Sequence, residues 1–111
     1  MELSQFYGTE NYYKSNPFVP KMLHTDGVEY FCREGGAYWF LDIVATEIFP
    51  LLAKEPFIKI VLVSHNDTAS IFAEDGNCKE IFVKNIEFTD CPSGTYEFFL
   101  ADNVLMLTSE Y

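Results

Sequence analysis

Two hydrophobic patterns divide the chain near residue 56. Across residues 35–49, apolar side chains recur at the spacing of a helix, and Pro50 ends the pattern because proline cannot donate the backbone hydrogen bond of a helix interior. Residues 57–63 are nearly all apolar and mostly β-branched, which is typical of a strand buried on both faces or lying at the centre of a sheet. Helices are therefore predicted in the first half of the chain and strands in the second.

The first half contains two further helical patterns. Residues 2–13 predict a short N-terminal helix, since Leu3 and Phe6 are one turn apart. This helix is predicted to end before Pro17, because the residue before a proline disfavours helical backbone angles. Thr25-Asp26-Gly27 has the composition of a helix start, and the helix that follows is predicted to end at Gly35-Gly36. The long helix over residues 35–49 comes next and carries the sole tryptophan, Trp39.

Five strands are predicted in the second half, at residues 57–63, 69–73, 81–88, 96–100 and 104–107. The segments between them contain turn-forming residues and are too short for crossover helices, so the strands are predicted to pair antiparallel in sequence order. The whole chain, residues 1–111, is accordingly predicted to be a single α+β domain. Its N-terminal helices pack on a mostly antiparallel five-strand β-meander, in two layers.

Composition and charge narrow the classes of partner. The chain has 111 residues, of which 49% are hydrophobic, and this excludes a disordered protein. Seventeen carboxylates against seven lysines and arginines give a net charge of -10, which disfavours direct binding to nucleic acid or to an anionic membrane. A protein with a basic surface is the electrostatically compatible partner. The alternative interpretation is that the acidity serves only solubility.

Cysteines and histidines give no catalytic or metal motif. The three cysteines share no CxxC spacing, and the N-terminus lacks a signal-peptide pattern, so a reduced cytoplasmic protein without metal or cofactor is predicted. A general base needs a nucleophile and an orienting group beside it, and the sequence places neither next to His24 or His65. No catalytic residue is predicted.

One polar stripe stands out on the long helix. Tyr38, Asp42 and Thr46 are four residues apart and share one face, which Trp39 flanks. A carboxylate among large apolar residues needs water or a hydrogen-bonding partner. The stripe is therefore predicted either to form a small ligand or partner site or to fix packing by accepting hydrogen bonds from neighbouring segments of the same chain.

Short pieces spread over the whole chain carry a resemblance to a known family. They are Leu3 and Phe6 with Gly8-Thr9-Glu10, Tyr12-Tyr13, Thr25-Asp26-Gly27-Val28 with Tyr30, Gly36-Ala37-Tyr38-Trp39 with Leu41-Asp42, Asp75-Gly76-Asn77, Phe88-Thr89-Asp90 and Ser109-Glu110-Tyr111. In these pieces the chain resembles a family of small bacterial and mobile-element proteins classed only as a domain of unknown function. The resemblance implies a complete domain and no particular chemistry.

Three function classes remain. The leading hypothesis is a small non-enzymatic accessory protein that presents tyrosine-rich and acidic surface to a protein partner. The second is an acidic mimic of DNA that inhibits a nucleic-acid-binding protein, although the carboxylates are scattered through every element rather than grouped. The third is a small ligand binder or enzyme centred on Asp42.

Overall fold

The computed structural model describes residues 2–111; Met1 lies outside it. The described chain contains two α-helices and seven strands. In chain order these are β1 (Tyr12–Lys14), β2 (Leu23–Thr25), α1 (Asp26–Gly35), α2 (Tyr38–Ile43), β3 (Phe57–His65), β4 (Thr68–Glu74), β5 (Glu80–Ile86), β6 (Gly94–Ala101) and β7 (Val104–Leu107). A π-helical turn, Val44–Ile48, and a 3₁₀ turn, Phe49–Ala53, extend α2, and a second 3₁₀ turn, Thr108–Glu110, follows β7.

Helix α1 has the boundaries that its capping residues predict. The hydroxyl oxygen of Thr25 accepts a hydrogen bond from the backbone N–H of Val28. At the other end Gly36 adopts φ 61°, the left-handed conformation that ends many helices. The predicted start and end of this helix are both confirmed.

The predicted long helix over residues 35–49 is broken into three consecutive helical pieces between Tyr38 and Ala53. After α2 the backbone N–H of Phe49 bonds to the carbonyl of Val44, five residues earlier, and so widens the turn. Pro50 follows at once and has no N–H with which to continue an α-helix. The proline therefore changes the helix type, and the chain stays helical for one more turn.

The sheet differs from the predicted five-strand meander, which was wrong. In residues 2–111 the seven strands form one mixed sheet in the order β1-β2-β7-β6-β3-β4-β5. Strand β2 pairs with β7 in parallel, and β3 pairs with both β4 and β6 in antiparallel fashion. The overall class is still α+β, and β5 lies at one edge of the sheet instead of beside β6.

The connection between β5 and β6 explains this topology. Residues 87–93 reach roughly 20 Å when extended, which exceeds the roughly 14 Å of the three strand spacings between β5 and β6. The connection is held to the β3–β4 hairpin, where the backbone N–H of Thr89 bonds to the carbonyl of Asp67 and the hydroxyl of Ser64 donates to the carbonyl of Cys91. A loop of this length need not form a hairpin, and the very apolar β3 takes the central position.

The predicted helix over residues 2–13 was also wrong. Residues 12–14 form β1, and β1 pairs with β2 so that Tyr13 lies opposite His24. Each of these strands has three residues, too few for an alternating pattern to be recognised. Strand β2 in turn pairs with β7, and the Leu23 N–H bonds to the carbonyl of Asn103 near the far end of the chain.

Both α-helices of the described chain pack on one side of the sheet. The core lies between the helices and the sheet. It includes Phe31 and Phe40 from the helices and Phe98 from β6, with ring centroids 4.8 to 6.2 Å apart. Among residues 2–111, no helix has the length and apolar character that crossing a membrane requires.

Candidate functional site

The three residues of the predicted stripe and the flanking Trp39 do not converge on one site. Tyr38 donates a hydrogen bond to Glu29 Oε2 at 2.5 Å, and Asp42 accepts one from the side-chain amide of Asn16 at 3.0 Å. The Thr46 hydroxyl donates to the carbonyl of Asp42 in its own helix, and Trp39 packs edge-on against Phe40. Asp42 thus receives its hydrogen bond from the loop after β1. Whether the four residues also bind a ligand or partner stays a prediction.

Tyr38 belongs to a chain of hydrogen bonds centred on the buried His24. The hydroxyl of Ser15 lies 2.8 Å from His24 Nδ1, and His24 Nε2 lies 2.7 Å from Glu29 Oε1. An ionised carboxylate only accepts hydrogen bonds, so Nε2 of His24 carries a proton, and in the neutral imidazole Nδ1 then accepts the hydrogen bond from Ser15. Burial alone would raise the pKa of Glu29, but the hydrogen bonds from His24 and Tyr38 outweigh it and lower that pKa.

These contacts give His24 the two neighbours that the sequence could not place. A hydroxyl and a carboxylate on opposite sides of an imidazole are the groups that activate a serine nucleophile. The cavity nearest to them is lined by Tyr13 and Glu29 but not by Ser15. The arrangement therefore serves first to join β1, β2, α1 and α2.

Asp26, the first residue of α1, is a second centre of hydrogen bonds. Its carboxylate accepts bonds from the backbone N–H groups of Glu10 and Asn11, at 2.9 and 3.2 Å, and from the hydroxyl of Tyr13, at 2.9 Å. These donors, first of all the Glu10 N–H, lower the pKa of Asp26 to about 2. The same carboxylate raises the pKa of Tyr13, and the hydrogen bond to Glu29 raises the pKa of Tyr38 to about 12.

The Asp26 contacts predict a loss of stability in acid. Because the pKa of Asp26 is about 2 in the folded protein and 3.8 ordinarily, its contribution is complete above pH 4 and is lost as the pH falls toward 2. We expect a loss of about 1–2 kcal/mol, since the carboxylate is partly exposed to solvent. Urea unfolding of the wild type and Asp26→Asn between pH 5 and about pH 2 measures it, and the variant should show a shallower dependence.

The exposed Glu87→Gln variant is the control for this experiment, because it also removes one carboxylate. It should retain the pH dependence of the wild type. Equal slopes for Asp26→Asn and the wild type would show that the Asp26 hydrogen bonds do not contribute to folding.

Asp26 and Glu29 line a cavity with a volume of about 410 Å³. Its wall contains the three aromatic rings of Phe6, Tyr13 and Tyr30. The polar part of the wall contains three carboxylates and one guanidinium: Glu10, Asp26, Glu29 and Arg33. The cavity lies at the N-terminal part of α1, where the incoming chain folds over the helix.

The side of the sheet away from the helices forms a second candidate surface, here called the open face. It is formed by alternate side chains of five strands and by Tyr111. Its larger side chains are Phe57, Lys59, Val61, Val63, Phe72, Val83, Glu97, Phe99, Met106 and Tyr111, and the register places Ser70, Glu74, Asn85 and Thr95 on the same side. Cross-strand pairs such as Val61 with Phe72 and Phe99 with Met106 make it largely apolar. Tyr111 is 75% exposed and contacts the rings of Phe57 and Phe99.

The matching family is described as a family of unknown function, DUF6876, and the match covers residues 1–111. The chain belongs to the DUF6876 family. This confirms the predicted membership of a full-length domain family without known function, whereas the bacterial or mobile-element origin stays a prediction. No curated protein matches this DUF6876 chain, and no solved structure matches it.

No local pattern in the sequence points to most of the groups that this DUF6876 protein brings together. Ser15, His24, Asp26 and Glu29 are close in sequence but lie in a loop, a strand and a helix, and they meet because β1 pairs with β2 and α1 follows β2 directly. Among residues 2–111 no group of three or more histidine, cysteine or acidic residues has the geometry of a metal site, and the three cysteines are unpaired. The nearly continuous apolar run at residues 57–63 was the one signal that pointed toward the open face.

Proposed function

We propose that this DUF6876 protein is a small non-enzymatic accessory domain that binds a protein partner through its open face. One observation carries the proposal. Residues 57–63 of strand β3 are apolar at every position except Lys59, as in a strand buried on both faces, whereas the covered side of β3 contains only Ile58, Ile60, Leu62 and the polar Ser64. The other set, including Val61 and Val63, remains half-exposed. An apolar surface of this kind is typical of an interaction site.

Charge favours a basic partner over a second copy of the chain. The open face contains Glu97, which pairs with Lys59 at 2.9 Å, and the cavity of about 310 Å³ beside Phe72 is also lined by Glu74 and Glu80. Two copies with a net charge of -10 each would bring these carboxylates together. The occupant we propose is therefore an amphipathic segment of a partner, with apolar residues over the valines and phenylalanines and lysines or arginines toward the glutamates.

Binding at the open face can be tested with a matched pair of variants, because the chain has one exposed aromatic ring on this face and another away from it. We expect an amphipathic helical peptide of leucine and lysine to bind, and amide NMR shifts should map to β3, β4 and β6. Tyr111→Ser removes an exposed ring from the open face and should weaken binding roughly tenfold. Phe18→Ser removes a ring that is 90% exposed in the loop after β1, and it should leave binding unchanged.

A matched peptide of leucine and glutamate tests the charge argument. It should bind much more weakly than the lysine peptide, and the difference should shrink as salt is added. Shift changes confined to the helices, or equal effects of the two serine variants, would contradict a docking role for the open face.

The two alternative functions have less support. Lysines neutralise two of the carboxylates, in the Lys59–Glu97 and Lys84–Glu47 pairs, which interrupts the continuous negative surface that a DNA mimic needs. Asp42 is bonded to Asn16 and does not line the cavity of about 410 Å³. A cytoplasmic location is part of our proposal, and the three free cysteines support it.

A further inference from the structure

The cavity beside α1 has a composition that the interaction function does not use. Phe6, Tyr13 and Tyr30 are half-buried, and all three residues line the cavity. The Phe6 and Tyr30 centroids are 5.2 Å apart with the rings inclined at 46°, so the two rings form adjoining, inclined walls. Rings inclined in this way fit around a rounded group better than around a flat group.

A cation of the protein itself already lies on one of these walls. The guanidinium carbon of Arg33 is 5.8 Å from the centroid of the Tyr30 ring, within the range of a cation–π contact. Arg33 is exposed, with 57% of its side chain accessible, and its nearest acidic neighbour is Glu34, at 3.4 Å. This side chain is thus placed to be displaced by a ligand cation without loss of a buried contact.

The charges around the rings select a cation rather than a neutral ligand. Three carboxylates line the cavity, from Glu10, Asp26 and Glu29, against the single guanidinium. Asp26 stays ionised at every physiological pH, because its backbone and tyrosine donors hold its pKa at about 2. Its hydrogen bonds also fix the position of the negative charge, so the field in the cavity does not depend on a mobile side chain.

We propose that this cavity binds an alkylammonium group, with the tyrosine and phenylalanine rings enclosing its methyl or methylene surface and Asp26 and Glu29 supplying the opposite charge. The chemistry is the same for a free quaternary amine and for the side chain of a lysine or a methylated lysine. A volume of about 410 Å³ accommodates such a group together with several carbons of the chain that carries it. The cavity lies on the side of the molecule that carries α1, so this site is independent of the open face.

The experiment is a titration of the whole protein, followed by amide NMR, with the ionic strength held constant. Choline and its uncharged carbon analogue 3,3-dimethylbutan-1-ol are compared as ligands of equal shape. Choline should shift the amides of residues 8–13 and of α1, and the neutral analogue should not. A third titration, with N-acetyl-trimethyllysine amide, distinguishes the sources, because a site for a lysine side chain should bind this compound more tightly than choline.

Two variants give effects of opposite sign. Tyr30→Leu keeps an apolar side chain but removes the ring, and choline binding should weaken roughly threefold to tenfold. Arg33→Ala removes the competing cation from the ring and should strengthen choline binding by a similar factor. Since Arg33 is exposed, this variant should fold as the wild type does.

The proposal is overturned if choline and its neutral analogue cause the same shifts, or if neither shifts the residues of the cavity. It is also overturned if Arg33→Ala weakens choline binding, since the guanidinium would then belong to the site instead of competing for it. Loss of peptide binding at the open face would leave these outcomes unchanged, so the two proposals are tested separately.

Discussion

Replacing Phe98 by alanine is expected to lower the free energy of unfolding by about 3–5 kcal/mol, which is a large part of the stability of a domain this size. Phe98 is fully buried in β6, and its ring contacts those of Phe31 and Phe40 at centroid distances of 5.3 and 4.8 Å. Alanine would leave a cavity between both helices and the sheet. Urea unfolding at neutral pH measures the loss.

The neighbouring residue is the matched control for this prediction. Phe99 has the same side chain in the same strand but points to the open face, where it contacts Phe57 and Tyr111. Phe99→Ala should therefore cost only about 1–2 kcal/mol, mainly from lost ring contacts, and should leave a folded protein. Similar losses for the two variants would show that the open face is buried in solution, for example against another molecule.

Glu110→Ala should produce the second large effect, a loss of about 2–3 kcal/mol from a residue next to the C-terminus. The carboxylate of Glu110 accepts hydrogen bonds from the Thr25 hydroxyl at 2.6 Å and from the Gly27 N–H at 3.0 Å, at the start of α1. It also accepts a bond from the Leu107 N–H at 2.9 Å. A negative charge at this end of a helix is favourable because the free N–H groups make it positive.

The approach of Glu110 to the helix is close enough to require a glycine. A Cβ atom at position 27 would lie 2.6 Å from Glu110 Oε1, so no larger residue fits without displacing the carboxylate. The exposed Ser109→Ala variant is the control for Glu110→Ala, and its unfolding midpoint should match the wild type. Glu110→Gln keeps an acceptor oxygen and should lose less than the alanine variant. A wild-type midpoint for Glu110→Ala would rule out the proposed role in holding α1.

The elements that the sequence predicted correctly are those with local causes. Helix α1 is bounded by Thr25 and Gly36, whose effects act within a few residues. All five predicted strands exist, with boundaries shifted by one or two residues, and 104–107 was placed without error. The last hairpin turn was also recognised, and Asp102 and Asn103 there take the positive φ values that such turns need.

The turn at residues 75–77 shows how a correct element can have a different cause. Glycine is the residue that adopts a positive φ most readily, but the residue with that conformation in this turn is Cys78, at φ 64°, and not Gly76. The side chain of Asp75 forms the turn by accepting hydrogen bonds from the backbone N–H groups of Asn77 and Lys79. The turn lies where its residues predict it, but which residue accepts the hydrogen bonds and which adopts the positive φ depends on side-chain contacts.

The sequence by itself determined the apolar core strands, the capped helix α1 and the excess of negative charge, because each follows from residues that are neighbours in the chain. Only the tertiary structure decided the strand order, the strands β1 and β2, and the cavity beside α1. These depend on pairs as distant as His24 with Leu105 and Thr25 with Glu110. Such contacts form only when the chain closes loops of about 80 residues, and local spacing carries no information about which loops close. The open face depends on both the sequence and the tertiary structure. The apolar pattern of β3 predicts a strand that is buried on two sides, and the helices pack on only one of them.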